Sequence, residues 1–108
     1  MYLSSLGDIV AIREMSLTDE QGIASKAQVL IGAPKCFPDS TDYYCPFQIL
    51  GLGDEEIRYA GGVDGIQALQ LVMSMIGAIL RFRSENTAGT LRWEAGNSEG
   101  DFGFPVDQ

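Results

Sequence analysis

The side chains best suited to chemistry are concentrated between Gly51 and Gln67, in GLGDEEIRYAGGVDGIQ, where five glycines and four acidic residues precede a long apolar run. Glycines at a strand-to-helix junction can cradle a phosphate, and clustered carboxylates can hold a hard cation or move protons. The phosphate reading fails on spacing. A P-loop needs a lysine directly after its last glycine, and no lysine follows any of these. Gly61-Gly62-Val63-Asp64-Gly65 stands where a dinucleotide fingerprint would, without its G-x-G-x-x-G spacing, and Asp64 at the mouth of a helix would repel a phosphate. The cation reading rests on Asp54, Glu55 and Glu56. They are consecutive rather than alternate, unlike the ligands of an EF-hand, and suit a solvated turn better.

Other chemistry is excluded by residues the chain lacks. It has no histidine, which removes the Ser-His-Asp and Cys-His nucleophile systems, the usual neutral-pH general base and the commonest metal ligand. Cys36 and Cys45 are too few for a structural zinc site. No spacing picks out a carboxylate pair of the glycosidase kind. Asp101-Phe102-Gly103 matches a kinase metal-binding triplet, but no glycine-rich loop, strand lysine or catalytic loop accompanies it. No catalytic residue, cofactor-binding residue or metal ligand is therefore assigned. Arg58, Tyr59, Arg92 and Trp93 remain, two arginines each beside an aromatic in a predicted strand. They are a candidate sheet-face patch for an anion or a partner. The plainer alternative is a solvent face whose arginines pair with nearby acids.

These residues must be positioned by strands and one helix. Asp8–Leu17 and Lys26–Pro34 read as strands, the second with Ala27, Val29 and Ile31 on one face. PKCFPDSTD reads as a loop. Tyr43–Leu52 is a third strand with Tyr43, Cys45, Phe47 and Ile49 alternating, and Pro46 predicts an edge position or a bulge. Glu56–Val63 is a fourth, so Gly51, Gly53 and the acids between them read as a hairpin loop. Thr90–Gly96 is a fifth, and Phe102, Phe104 and Val106 follow it. Asp64 with Gln67 three residues on is a capping-box pattern for a helix from about Gly65 to Arg83. Val63 is expected to staple onto Ala68, and Gly61 and Gly62 to swing the chain from strand to helix. Arg81 and Arg83 suit the helix C-terminus.

The helix is apolar over too much of its circumference. Gln67, Gln70, Ser74, Gly77 and Arg81 fall on one narrow stripe, leaving an apolar arc of roughly two thirds of a turn, against the ~100° that one sheet face covers. Leu69, Val72, Met73, Ile76 and Leu80 are expected on the sheet. Leu71, Met75, Ala78 and Phe82 form a second stripe, the candidate interface. It is covered either by the C-terminal segment folding back or by another protein surface, a second copy or a partner.

At 108 residues and 45% hydrophobic content the chain is a single domain, 1–108, with one core. Fifteen acids against seven bases leave a net charge of −8. That balance repels phosphate backbones and anionic lipid, so neither nucleic acid nor membrane is an expected partner. The N-terminus lacks the basic and apolar regions of a signal peptide, and Ile66–Leu80 is interrupted by polar residues and too short to span a bilayer. A cytoplasmic protein with reduced cysteines is expected.

Cys45-Pro46-Phe47, the Gly51-Leu52-Gly53 turn, Gly62-Val63-Asp64 with Gln67-Ala68-Leu69, and Gly103-Phe104-Pro105 together resemble a family of small bacterial proteins carried as a domain of unknown function. The resemblance covers the second two thirds of the chain and implies no activity. The expected fold is α+β: an antiparallel meander of four to five strands with one long helix across one face. The expected function is a non-enzymatic protein-interaction module, with self-association into a homodimer compatible. The alternatives are a small-molecule binding domain with a pocket between helix and sheet, lined by methionines and aromatics, and, third, a carboxylate-based enzyme.

Overall fold

Alternating apolar residues build the sheet that carries everything else. In a computed structural model, which describes residues 1–94 and 102–105, six strands and one helix follow in order. They are β1 (Ile9–Thr18), β2 (Ala24–Gly32), β3 (Lys35–Cys36), β4 (Tyr43–Leu50), β5 (Arg58–Gly62), α1 (Gly65–Glu85) and β6 (Thr90–Trp93). Every strand pairing is antiparallel. Across the sheet the order is β6, β1, β2, β4, β5, with β3 also on β4. The expected meander is present, and the fifth predicted strand returns after the helix to lie beside β1. Ala95 and Gly96 of that predicted strand, Asp101 of the DFG triplet and Val106 lie outside the described residues.

The period of two along each strand puts one set of side chains under the helix. Met15 of β1 stands opposite Ala27 of β2, Val29 opposite Ile49 of β4, and Cys45 opposite Ala60 of β5, all buried. From α1, Ala68, Val72, Ile76 and Leu80, each four apart, close on this face with 0% exposure. Burying side chains such as Val72, Ile76 and Leu80 stabilises the fold by about 1.5–3 kcal/mol each. Leu69, Met73 and Ile79 pack on the margins of this core. Gly77, expected on the polar stripe, is buried too, because a residue without a side chain is screened by its neighbours.

One short element departs from expectation, and the bulge expected near Pro46 is present. PKCFPDSTD holds β3, which pairs Cys36 with Tyr43 and Lys35 with Tyr44. Ile31 pairs with Phe47, so between these points four steps along one strand oppose three along the other. The one-residue slip is a bulge, and Pro46, which has no N–H to contribute, falls in it. β4 is consequently a central strand, not an edge. The Cys45 thiol donates to the Gly32 carbonyl in the same gap, at 3.3 Å.

The helix lies over β4 and β5, not over the middle of the sheet. Phe102 and Phe104 of the C-terminal segment, both buried, supply core on the β1 side, where Phe104 lines a small cavity with Met73, Val29 and Ile31. α1 runs for 21 residues, longer than the apolar segment expected, and by length and composition alone it could cross a membrane. The expectation that the segment is too short is corrected by that length. Its fully buried row against β4 and β5 makes it the core helix of this domain.

Candidate functional site

The Gly51–Gln67 stretch does mechanical work. Gly51 and Gly53 have φ of 89° and 106°, as a hairpin loop between β4 and β5 requires. Two of the three carboxylates, Asp54 and Glu55, tie the loop down. Glu55 Oε2 accepts from the Gly51 N–H at 2.8 Å, Asp54 Oδ1 from the Glu56 N–H at 3.0 Å, and Asp54 Oδ2 from Arg58 at 2.8 Å. Arg83, in the last turn of α1, donates to the Leu52 carbonyl at 3.0 Å and holds the loop against the helix end. The Glu56 N–H and then the Arg58 guanidinium keep the Asp54 carboxyl below its ordinary value.

At the other end of the helix, Asp64 is the N-cap and its carboxylate accepts from the Gln67 N–H at 2.8 Å. The Gln67 amide returns the bond one residue earlier than a capping box would, accepting from the Val63 N–H at 2.7 Å. The Val63 staple does not form. Val63 is 69% exposed while Ala68 is fully buried. Gly62 takes its place, with its backbone so near α1 that a Cβ there would lie 2.5 Å from the Ala68 nitrogen. Gly61 and Gly62 are therefore strand residues, and Gly62 is a point of close approach rather than a swivel.

Between these two anchors lies the predicted second stripe. Leu71, Met75, Ala78 and Phe82 are all exposed, the three large side chains by 47%, 38% and 57%. Phe104 of the C-terminal segment lies on the opposite flank of the helix, beside Met73, and among the described residues this flank is open. The stripe borders β5. Leu71, Met75 and Ala78 share a groove of about 510 Å³ with Tyr59, Ala60 and Gly61, and Ala78, Ile79 and Phe82 share the next one with Arg58. Among the described residues β5 pairs with β4 alone, so its outer edge carries free backbone donors and acceptors directly under the stripe.

The predicted Arg58, Tyr59, Arg92, Trp93 patch is not one surface. Arg58 and Tyr59 are on β5 and Arg92 and Trp93 on β6, at opposite ends of the sheet with β4, β2 and β1 between them. Alternation separates each pair again, putting Arg58 and Trp93 on the helix side and Tyr59 and Arg92 on the back. Arg58, Tyr59 and Trp93 each have a separate role. Arg58 pairs with Asp54 and Glu56. Tyr59 joins Phe37 and Tyr44 in an aromatic cluster with centroids 5.2–5.9 Å apart. Trp93 and Phe104 flank the Arg13 guanidinium at 4.0 and 4.6 Å, and Arg13 donates to the Phe102 carbonyl at 3.0 Å. Arg13 carries no such signal in the sequence, because an arginine within an apolar strand does not show which aromatics the tail will bring to it.

Residues 11–106 match the family described as a domain of unknown function, DUF6968. The chain belongs to that family. Neither a curated protein nor a solved structure matches it. The DUF6968 span runs from β1 through the tail and so contains the stripe, the β5 edge and both anchors.

Two other cavities bear on ligand binding. The one between helix and sheet at Met73 and Phe104 holds about 110 Å³, well short of the ~300 Å³ at which ligand pockets begin. A larger one of about 340 Å³ opens at the C-terminal end of α1, lined by Leu17, Leu52, Asp54, Phe82, Arg83, Asn86, Thr87 and Leu91. Among the described residues no three Cys, Asp or Glu side chains converge as metal ligands would. Cys36 and Cys45 are both free thiols, Cys36 exposed and Cys45 pushed up to about 11 by burial.

Proposed function

We propose that this domain is a non-enzymatic protein-interaction module that docks a protein along the Leu71, Met75, Ala78, Phe82 stripe and the free edge of β5. One observation carries the reading: Phe102 and Phe104 pack away from this flank, Phe104 beside Met73, and among the described residues the apolar flank is open beside the outer edge of β5. Contiguous exposed apolar surface next to a sheet edge suits docking by strand addition, with backbone bonds supplying affinity and the stripe supplying side-chain selectivity. The acidic composition and the two free thiols suit protein partners in the cytoplasm rather than nucleic acid or anionic membrane. The test is affinity capture of the tagged protein from native lysate, with Met75→Glu as control. A stoichiometric partner retained by the wild type and lost in the variant is the expected result. Identical recovery from both would sink the proposal.

A second reading is a small-ligand site in the pocket at the end of α1, favoured by the convergence there of Asp54, Arg83, Asn86 and Thr87 on an otherwise apolar wall. It predicts a thermal shift with a member of a metabolite panel that Asn86→Leu removes.

A further inference from the structure

We infer that the pocket at the C-terminal end of α1 takes a small apolar monocarboxylate, with its carboxylate on Arg83 and its apolar body among the surrounding leucines and Phe82. The inference rests on the second reading above and gives its ligand a chemical class. Three observations lead to it.

The first is a guanidinium without a close counter-ion. Arg83 lines the pocket with its side chain only 23% exposed. It donates to two backbone carbonyls, those of Leu52 at 3.0 Å and Asp54 at 3.4 Å. A guanidinium has more N–H groups than two carbonyls use, set in a planar fork that matches a carboxylate. Among the described residues the nearest carboxylate oxygen is Asp54 Oδ2, 3.9 Å away, and that same oxygen is bonded to Arg58 at 2.8 Å. Arg58 thus takes most of the Asp54 charge, and the positive charge of Arg83 is left for a ligand.

The second is the state of the helix end. The C-terminus of a helix carries partial negative charge that opposes an anion. Here the Phe82 and Arg83 carbonyls both accept from the Asn86 N–H, and the Asn86 side-chain amide donates to Phe82 as well, at 2.8 Å. Asn86 therefore engages two of the carbonyls that would repel a carboxylate, and Thr87 adds a hydroxyl to the pocket wall.

The third is size and lining. Leu17 of β1 pairs with Leu91 of β6, and with Leu52 and Phe82 they supply the apolar wall. The volume is about 340 Å³, at the small end of the ~300–1,000 Å³ range of ligand sites. It suits a short acyl chain or a single aromatic ring. One negative charge is tolerated beside Asp54 better than the two of a phosphate monoester, in a chain whose net charge is −8.

The test is titration calorimetry of the full chain with octanoate and benzoate, and with 1-octanol and octylamine as probes of other charge. At least one of the carboxylates should bind with a Kd below about 1 mM, and the alcohol and the amine at least about tenfold more weakly. Arg83→Gln should weaken carboxylate binding about tenfold. Because Arg83 also holds the hairpin loop, a second variant separates binding from folding. Asp54→Asn removes the competing carboxylate and keeps Arg83, so it should tighten binding at least about threefold, a gain that damage to the fold would not produce. Absence of binding by both carboxylates overturns the inference. So does carboxylate binding that either variant leaves unchanged. Binding of the alcohol or the amine in preference to both carboxylates would remove the carboxylate class and leave the small-ligand reading in place. If the metabolite panel also gives no shift that Asn86→Leu removes, that reading falls too.

Discussion

A methyl group on Gly62 has nowhere to go. The Cβ would approach the Ala68 nitrogen to 2.5 Å and the Gln67 carbonyl carbon to 2.9 Å, both backbone atoms that cannot rotate away. Gly62→Ala should cost about 1–3 kcal/mol, read from urea unfolding followed by Trp93 fluorescence. Asp54 gives a prediction in pH. Its folded carboxyl is held below the 3.8 of the free group by the Glu56 N–H and by Arg58. A depressed carboxylate contributes stability that is full above the unfolded value and is lost as pH falls through the folded one. Asp54→Asn should therefore melt below the wild type at pH 7, and the gap should close as pH drops below about 4. A gap that stays constant down to pH 2 would show that the carboxylate charge is not what ties the loop.

At the scale of elements, the helix and the tail are held in different ways. The start of α1 depends on a local cap, so Asp64→Ala should lower stability by about 1 kcal/mol and fray the first turn without moving the sheet. Hydrogen exchange at Gln67 would register it. The tail depends on a long-range clasp, with the Arg13 guanidinium between Trp93 and Phe104 and bonded to the Phe102 carbonyl. Arg13→Ala removes about 1–2 kcal/mol of cation–π and hydrogen-bond stabilisation from that clasp. Faster proteolysis at Phe102 with an unchanged sheet spectrum is the expected outcome. Equal cleavage rates in both proteins would show that apolar burial alone holds the tail.

For the whole molecule, neighbouring residues on α1 answer to different masters. Ile76 is fully buried under the helix and Met75 is open on the stripe beside β5. A charge at Ile76 should prevent folding. In the monomer, Met75→Glu should change stability by no more than about 0.5 kcal/mol, because an exposed side chain loses little on substitution. A large loss of monomer stability at Met75 would mean that the stripe serves the fold, not an interface. The architecture is an antiparallel sheet with the helix over one end and Phe102 and Phe104 over the other, and among the described residues an apolar flank of the helix is open beside the outer edge of β5.

Much of this was legible from local pattern. Alternation located β1, β2, β4 and β5 to within a few residues, glycine and acid placed the hairpin loop, and Asp64 with Gln67 marked the start of α1. The surplus apolar arc of the helix was also visible, as was its division into a sheet-facing row and a second stripe around Met75. These features depend on side chains two to four residues apart, and such distances are written into the chain itself. The tertiary structure alone decided the rest. β6 pairs with β1 at the far side of the sheet from β5, which splits Arg58 and Tyr59 from Arg92 and Trp93. Phe104 falls on the Met73 flank of the helix, and Arg13 becomes the clasp of Phe102 and Phe104. Strand order and the side of the helix on which a segment returns are choices among pairings far apart in sequence, and they are made by the competition of many weak burial terms rather than by any residue's own preference.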